Sequence, residues 1–117
     1  DVEPEQMDYS TMEVISPGYP LRPEALESAY VLHRISGEGR YKAMGWDIFR
    51  RIARWCRNEV GYAHLRDVGT KEQSDGMESF FLAETLKYAY LLFAPEGTLN
   101  FHEVIFNTEA HPLWRSW

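Results

Sequence analysis

The sequence is poor in cysteine, in positive charge and in long apolar runs. One cysteine in 117 residues cannot build an internal disulfide scaffold or a cysteine-rich zinc module. Cys56 is left to pack as a small apolar group, and the redox compartment stays open. Lysine and arginine number 12 against 18 acidic residues, for a formal charge of -6. A nucleic-acid backbone binder needs clustered cations to neutralise phosphates. The one cluster here, Arg50, Arg51, Arg54 and Arg57, is offset by Asp47 and Glu59 and reads as an ordinary solvated or inter-element face. No apolar run approaches the roughly 18 residues of a membrane span, and the chain does not open with a basic then apolar signal segment. Asp1-Val2-Glu3-Pro4 reads as a processed or excised end. Repeats, low-complexity tracts, phosphate-cradling glycine motifs and an adjacent Ser/His/Asp pattern are missing too. His102-Glu103 lacks the second histidine that a helical zinc-protease motif needs four positions on, because position 106 is Phe106. His111, beside Pro112, reads as a residue that orients the tail through a hydrogen bond.

What is present is globular usage, 44% hydrophobic and 26% charged, in a length that buries about two thirds of its unfolded surface and allows at most one small domain. The stretch through Pro20 is irregular, and Ser16-Pro17-Gly18-Tyr19-Pro20 reads as a loop. Helical periodicity starts at Pro23, with Glu24 in the first turn, where free N–H groups favour a carboxylate, and stops at Ser36-Gly37. A second helix is expected from about Arg40 to Glu59, burying Tyr41, Met44, Ile48, Ile52 and Trp55 with Gly45, Phe49, Ala53 and Cys56 beside them. Residues 69–74 read as a polar loop and Asp75 as a cap for a third helix, Gly76 to Phe93. That helix is apolar nearly all round, which suits burial in a larger body. Val104-Ile105-Phe106 is a short β-prone run in the tail.

The residues able to carry chemistry are carboxylates within strongly packed segments. Glu24 and Glu27, three apart, share a helix face and serve either the helix terminus or a site. Glu84 stands inside the aromatic third helix. Glu109 follows the apolar strand, and its neighbour Thr108 can offer a carbonyl and a hydroxyl oxygen to a hard cation. A carboxylate in apolar surroundings holds its proton unless a cation or donor compensates, so such positions are either tuned for acid–base work or paired structurally. Phe80 and Phe81 are either the floor of a sugar site or helix-packing groups.

Three blocks, in order, resemble the C-terminal signatures of class I α-1,2-mannosidases, glycoside hydrolase family forty-seven. They are Tyr19-Pro20-Leu21-Arg22-Pro23-Glu24 with Glu27-Ser28; Asp75-Gly76-Met77-Glu78-Ser79-Phe80-Phe81-Leu82-Ala83-Glu84-Thr85-Leu86-Lys87-Tyr88; and Phe106-Asn107-Thr108-Glu109-Ala110-His111-Pro112. The resemblance spans nearly the whole chain. It implies an all-α fold, the C-terminal portion of an (αα)7 barrel with a short β-containing tail, so that residues 1–117 form part of a glycosidase catalytic domain rather than a complete barrel.

Carried over residue by residue, the resemblance implies that Glu24 is the general base that prepares water for attack on a terminal α-1,2-linked mannose. Arg22 is similar to the family's sugar-site arginine, Glu27 to a carboxylate of the same pocket, Phe80 to the aromatic platform beneath the mannose, and Glu84 to a residue holding sugar and cation-bound water. Thr108 resembles the direct calcium ligand and Glu109 its acidic partner at the substrate site. The implied reaction is calcium-dependent and inverting, with N-glycan oligomannose as substrate. Its general acid lies in a missing upstream portion of the barrel, so the isolated chain is expected to be inactive. The implied location is the secretory pathway, in the endoplasmic reticulum or Golgi lumen or beyond the cell. The alternative is a noncatalytic mannose-recognition component or a structural fragment.

Overall fold

The computed structural model describes residues 2–116. Its first element is a hairpin, β1 (Gln6–Asp8) paired antiparallel with β2 (Glu13–Ser16). The Asp8 carboxylate closes its turn by accepting from Ser10 N and Ser10 Oγ, both at 2.7 Å. This stretch was expected to be irregular. A register shift between Gln6 and Met7 breaks the alternation that marks a strand, and Val14 and Ile15 both face solvent, so no buried face is written into the pattern.

Helix α1 (Glu24–Ser36) begins and ends where its punctuation places it: Pro23 is the N-cap, and Gly37, at φ 71°, donates its N–H to His33 O at 2.8 Å. Leu26, Ala29 and Tyr30 make its buried stripe. Helix α2 (Gly39–Trp55) stops short of Glu59. Asn58 Oδ1 accepts from Val60 N and Gly61 N, an Asx turn that offers this backbone an alternative to helix, and Ala63 N then returns to Cys56 O. The expected α2 stripe is also narrower: Gly45, Ile52 and Cys56 are buried, Ile48, Phe49 and Trp55 partly so, and Met44 is exposed. Gly45 sets how closely the helices approach, since a Cβ there would lie 2.1 Å from Leu92 Cδ2 and 3.6 Å from Ala29 Cβ.

Residues 69–74 are only partly a loop. Strands β3 (His64–Asp67) and β4 (Glu72–Ser74) form a second hairpin whose turn is held by Asp67 Oδ1, which accepts from Gly69 N and Thr70 N. The third helical segment starts at Ser79, not Gly76, and among the described residues Asp75 makes no capping hydrogen bond. Gly76 is occupied elsewhere: its carbonyl accepts from His64 N, and a Cβ on it would strike the His64 ring at 2.6 Å. The segment then opens into a single π turn, Phe81–Thr85, before α3 (Leu86–Phe93). After a short 3-10 turn at Glu96–Thr98, β5 (Val104–Phe106) and β6 (Pro112–Trp114) form a third hairpin. The described residues therefore hold three packed helices with three two-stranded hairpins, more β structure than the single tail strand expected. The core joins all three helices to the segment before α1 through Tyr19, Leu21, Tyr30, Ile52, Phe81, Tyr88 and Leu92.

Candidate active site

Three backbone segments far apart in sequence carry the candidate residues, and hydrogen bonds to backbone carbonyls fasten them together. The first is the strap before α1. Tyr19 exchanges backbone bonds with Leu65 of β3 at 2.9 and 3.0 Å, and its hydroxyl donates to Arg22 O at 3.0 Å. Between them Leu21 is fully buried at φ 64°, a left-handed conformation that costs a branched residue about 1–2 kcal/mol. Its carbonyl accepts from Thr85 Oγ1 at 2.7 Å. The strap thus reaches the π turn, and Arg22 and Glu24 are delivered to one side of it.

The second segment is the π turn itself, an insertion in the helical ladder of the kind often found at functional sites. It resolves the two phenylalanines. Phe81 is wholly buried, its ring centroid 4.8 Å from that of Tyr62, whereas Phe80 stays half-buried with the Arg22 guanidinium carbon 5.8 Å from its ring centroid. Glu84 is half-buried beside it.

The third segment is the turn between β5 and β6. Asn107 Oδ1 accepts from Glu109 N at 3.0 Å and His111 N at 2.9 Å, so His111 is oriented through its backbone. Ala110, fully buried at φ 55°, gives its carbonyl to Lys87 Nζ at 2.7 Å. Thr108 and Glu109 ride on this pinned turn, both exposed. Neither oxygen of Thr108 has an intrachain hydrogen bond among the described residues.

The Glu84 carboxylate lies within reach of the charges of Glu24, Glu27 and Glu109. Burial holds the Glu84 carboxyl above its ordinary pKa, and the charges of Glu109, Glu27 and Glu24 push it further, against the opposing pull of Lys87. Glu27 Oε1 accepts from the Tyr88 hydroxyl at 3.3 Å, and desolvation together with this carboxylate raises the phenol's pKa. Glu3 is held above its ordinary value by desolvation and then by Glu24. Glu5 lies below its own, because it accepts hydrogen bonds from Arg22. Glu3, Glu5, Arg22, Glu24 and Ser28 line an open cleft of about 780 Å3.

Arg22, Glu24, Glu27, Phe80, Glu84 and Glu109 are therefore linked, and Thr108 adjoins them. No group of three or more His, Cys, Asp or Glu side chains among the described residues is arranged to grip a metal. A cation here would have the Thr108 oxygens available, with carboxylates in the same site, a hard all-oxygen donor set that fits calcium and would relieve the mutual repulsion around Glu84. The supporting groups Glu3, Glu5, Lys87 and Tyr88 were not singled out by the sequence. Lys87 and Tyr88 stand three and four residues after Glu84, a spacing that signals a shared helix face; Glu3 and Glu5 sit in a stretch without periodicity.

The sequence profile of Glycosyl hydrolase family 47 matches residues 2–115. A mannosyl-oligosaccharide 1,2-alpha-mannosidase of Arabidopsis thaliana is 50% identical over 93 residues, covering 80% of this chain and 17% of that protein. Mannosyl-oligosaccharide alpha-1,2-mannosidase IA of Drosophila melanogaster is 47% identical over 97 residues, 81% of this chain and 14% of that protein. The solved alpha-1,2-mannosidase from Trichoderma reesei superposes with a TM-score of 0.80 at 40% identity, over 86% of this chain and 22% of that one. The chain thus spans between a seventh and a quarter of these relatives' length. With a profile match over nearly every residue and a shared structure at 40% identity, the chain belongs to glycosyl hydrolase family 47.

Proposed function

We propose that these residues form the C-terminal part of an (αα)7-barrel catalytic domain that releases terminal α-1,2-linked mannose from N-glycan oligomannose by calcium-dependent hydrolysis with inversion. The observation that carries this reading is the convergence of Glu24, Glu27, Glu84 and Glu109, drawn from three separate segments, beside the Arg22–Phe80 pair. Glu24 is the base: its carboxylate, open to the cleft at the start of α1, accepts a proton from the attacking water. Phe80 offers a ring face to the sugar's C–H surface, and Arg22 donates to its oxygens. Glu27, fixed by Tyr88, and Glu84, with its raised proton affinity, hold hydroxyl groups and water. Thr108 would hold calcium through its carbonyl and hydroxyl oxygens, with Glu109 beside it. Calcium, when bound, would accept water and sugar hydroxyls as oxygen ligands in a flexible shell and so orient them.

Inversion needs a second carboxyl group across the sugar, about 6.5–9.5 Å from the base, to protonate the leaving oxygen. No carboxylate of this chain is assigned that role; the upstream portion of the domain supplies it. An N-glycan substrate would be met in the secretory pathway, within the endoplasmic reticulum or Golgi lumen or outside the cell, and this is where we propose that the whole protein works. The test is free mannose released from α-1,2-mannobiose and oligomannose by the full-length protein, with calcium and with chelator. Release that stops on chelation and resumes with calcium is expected. Binding without release would leave a mannose-recognition protein, and release indifferent to chelation would overturn the calcium role.

A further inference from the structure

We infer that Glu5 is a positioning residue for this site, a clamp that fixes the Arg22 guanidinium over Phe80; the inference rests on the reading of Arg22 and Phe80 as sugar-contacting residues. Arg22 Nε donates to Glu5 Oε2 at 3.0 Å and to Oε1 at 3.1 Å, and Arg22 Nη2 donates to Oε1 at 2.5 Å. A two-nitrogen engagement of this kind sets the plane and rotation of the guanidinium as well as its position, which a single contact does not. The guanidinium carbon also lies over the Phe80 ring, 5.8 Å from its centroid. The arginine is thus held between a carboxylate and an aromatic ring.

Both halves of the clamp hang from the same strap. Glu5 N donates to Gly18 O at 2.7 Å, and the next residue, Tyr19, donates its hydroxyl to Arg22 O. Tyr19 is bonded to β3 on both sides of its backbone, and Leu21 is tied to the π turn that follows Phe80. Glu5, Arg22 and Phe80 therefore sit on segments joined by one connected set of hydrogen bonds to backbone carbonyls, although Glu5 and Arg22 are 17 residues apart.

An exposed ion pair contributes little to stability, and this one is open to water on both sides, with side-chain exposures of 43% and 33%. Its effect is on where the guanidinium goes. Arg22 also feels the charges of Glu24 and Glu78. Without Glu5 these are the carboxylates it would turn to, and a turn toward Glu24 takes the guanidinium off Phe80 and places it against the base. Glu5 keeps the cation on the sugar platform and the base free.

The test uses the full-length protein with Glu5→Gln, which keeps size and one acceptor oxygen but removes the charge, and Glu5→Asp, which keeps the charge on a shorter stem. Loss of one well-placed charge-assisted hydrogen bond to the sugar corresponds to a rise of about tenfold in KM for α-1,2-mannobiose. E5Q is expected to show that rise with kcat within about twofold, E5D to recover part of it, and E5Q to add nothing in an Arg22→Ala background. Crystal structures of wild type and E5Q, without sugar, give a readout independent of turnover: the guanidinium stays over Phe80 in the first and leaves it in the second. An unmoved guanidinium in E5Q, or an unchanged KM in an active enzyme, overturns the clamp. A wild type that neither binds nor cleaves mannosides overturns the functional reading instead, and the crystallographic comparison still decides whether Glu5 positions Arg22.

Discussion

Thr85→Val tests how the site is held to the core. Thr85 is a fully buried polar residue, and its hydroxyl donates to Leu21 O, itself on a fully buried residue, at 2.7 Å. Valine matches threonine in shape, so the substitution opens no cavity and costs little in helix propensity. What it removes is the 2.7 Å hydrogen bond between the π turn and the strap, leaving a buried carbonyl without that donor. Such a loss costs about 1–3 kcal/mol. Thr85→Ser keeps the hydroxyl and removes one buried methyl, about 0.8 kcal/mol plus whatever cavity remains. In the full-length protein at fixed calcium concentration, T85V should therefore be less stable than T85S in chemical denaturation. It should also lose activity, because Arg22 and Glu24 follow Leu21 on the same strap and Leu21 is held at positive φ only by its surroundings. T85S should keep most of its turnover. Equal stability and activity for wild type and T85V, with T85S the weaker variant, would refute the idea that this bond rather than methyl packing fixes the strap.

Three further outcomes follow from the same geometry. Glu24→Gln in the full-length protein should lower kcat by about 10²–10⁴, the range for a general base, with mannoside binding retained, and the sugar first released by wild type should be the β-anomer, read by proton NMR before mutarotation. Because the folded-state pKa of Glu84 is raised, its contribution to stability is present below the ordinary carboxylate pKa and is lost as pH rises through the folded value. Glu84→Gln should then stabilise the chelator-treated protein at neutral pH and leave it unchanged in acid, as measured by denaturation at both pH values; a benefit that persists in acid would sink this account. The 117-residue chain alone should unfold with weak cooperativity, bind a hydrophobic dye and release no mannose, because Trp46, Leu82 and Tyr90 are exposed and Phe49, Leu86, Ala89 and Phe93 line an open apolar groove of about 490 Å3. A cooperative, fully active monomer would refute it.

Legibility in the sequence followed the range of the interactions. Helix α1 was readable at both ends because Pro23 and Gly37 act locally, through a missing donor and a permitted left-handed φ. The end of α2 was misplaced because the Asn58 turn outweighs a periodicity that continues past it. The first two hairpins were hidden for a different reason: their strands are three or four residues long, both pairings are irregular, and no apolar face repeats, whereas the apolar run Val104–Phe106 marked β5. As for the site, its residue types were visible, but their roles came from the order of three motif blocks rather than from periodicity. The contacts that support them link Glu27 to Tyr88 across 61 residues and Leu21 to Thr85 across 64, distances over which no local pattern carries information.

Two links into the site, Thr85 to Leu21 and Lys87 to Ala110, share a construction that yields a sharper test. Leu21 and Ala110 are both fully buried non-glycine residues at positive φ, and each adjoins a site residue, Arg22 or Glu109. The carbonyl of each is pinned by a side chain of the π turn or α3, Thr85 or Lys87. If left-handed backbone is imposed on these positions by the pinning, glycine should relieve it. At Ala110 the relief is about 1–2 kcal/mol, set against about 0.8 kcal/mol for one buried methyl and about 0.4–1 kcal/mol for the added freedom of the unfolded chain. The sum lies within about 1 kcal/mol of zero. Ala89, buried within α3, offers the same methyl and the same added freedom without relief, so Ala89→Gly should cost about 1–2 kcal/mol, the low helix propensity of glycine being that same freedom. Denaturation of the two full-length variants should separate them by at least about 1 kcal/mol, the difference being the strain held at Ala110. If A110G proved as damaging as A89G, the left-handed turn beneath Thr108 and Glu109 would be a relaxed conformation, and its pinning by Lys87 would no longer explain how those two residues are aimed.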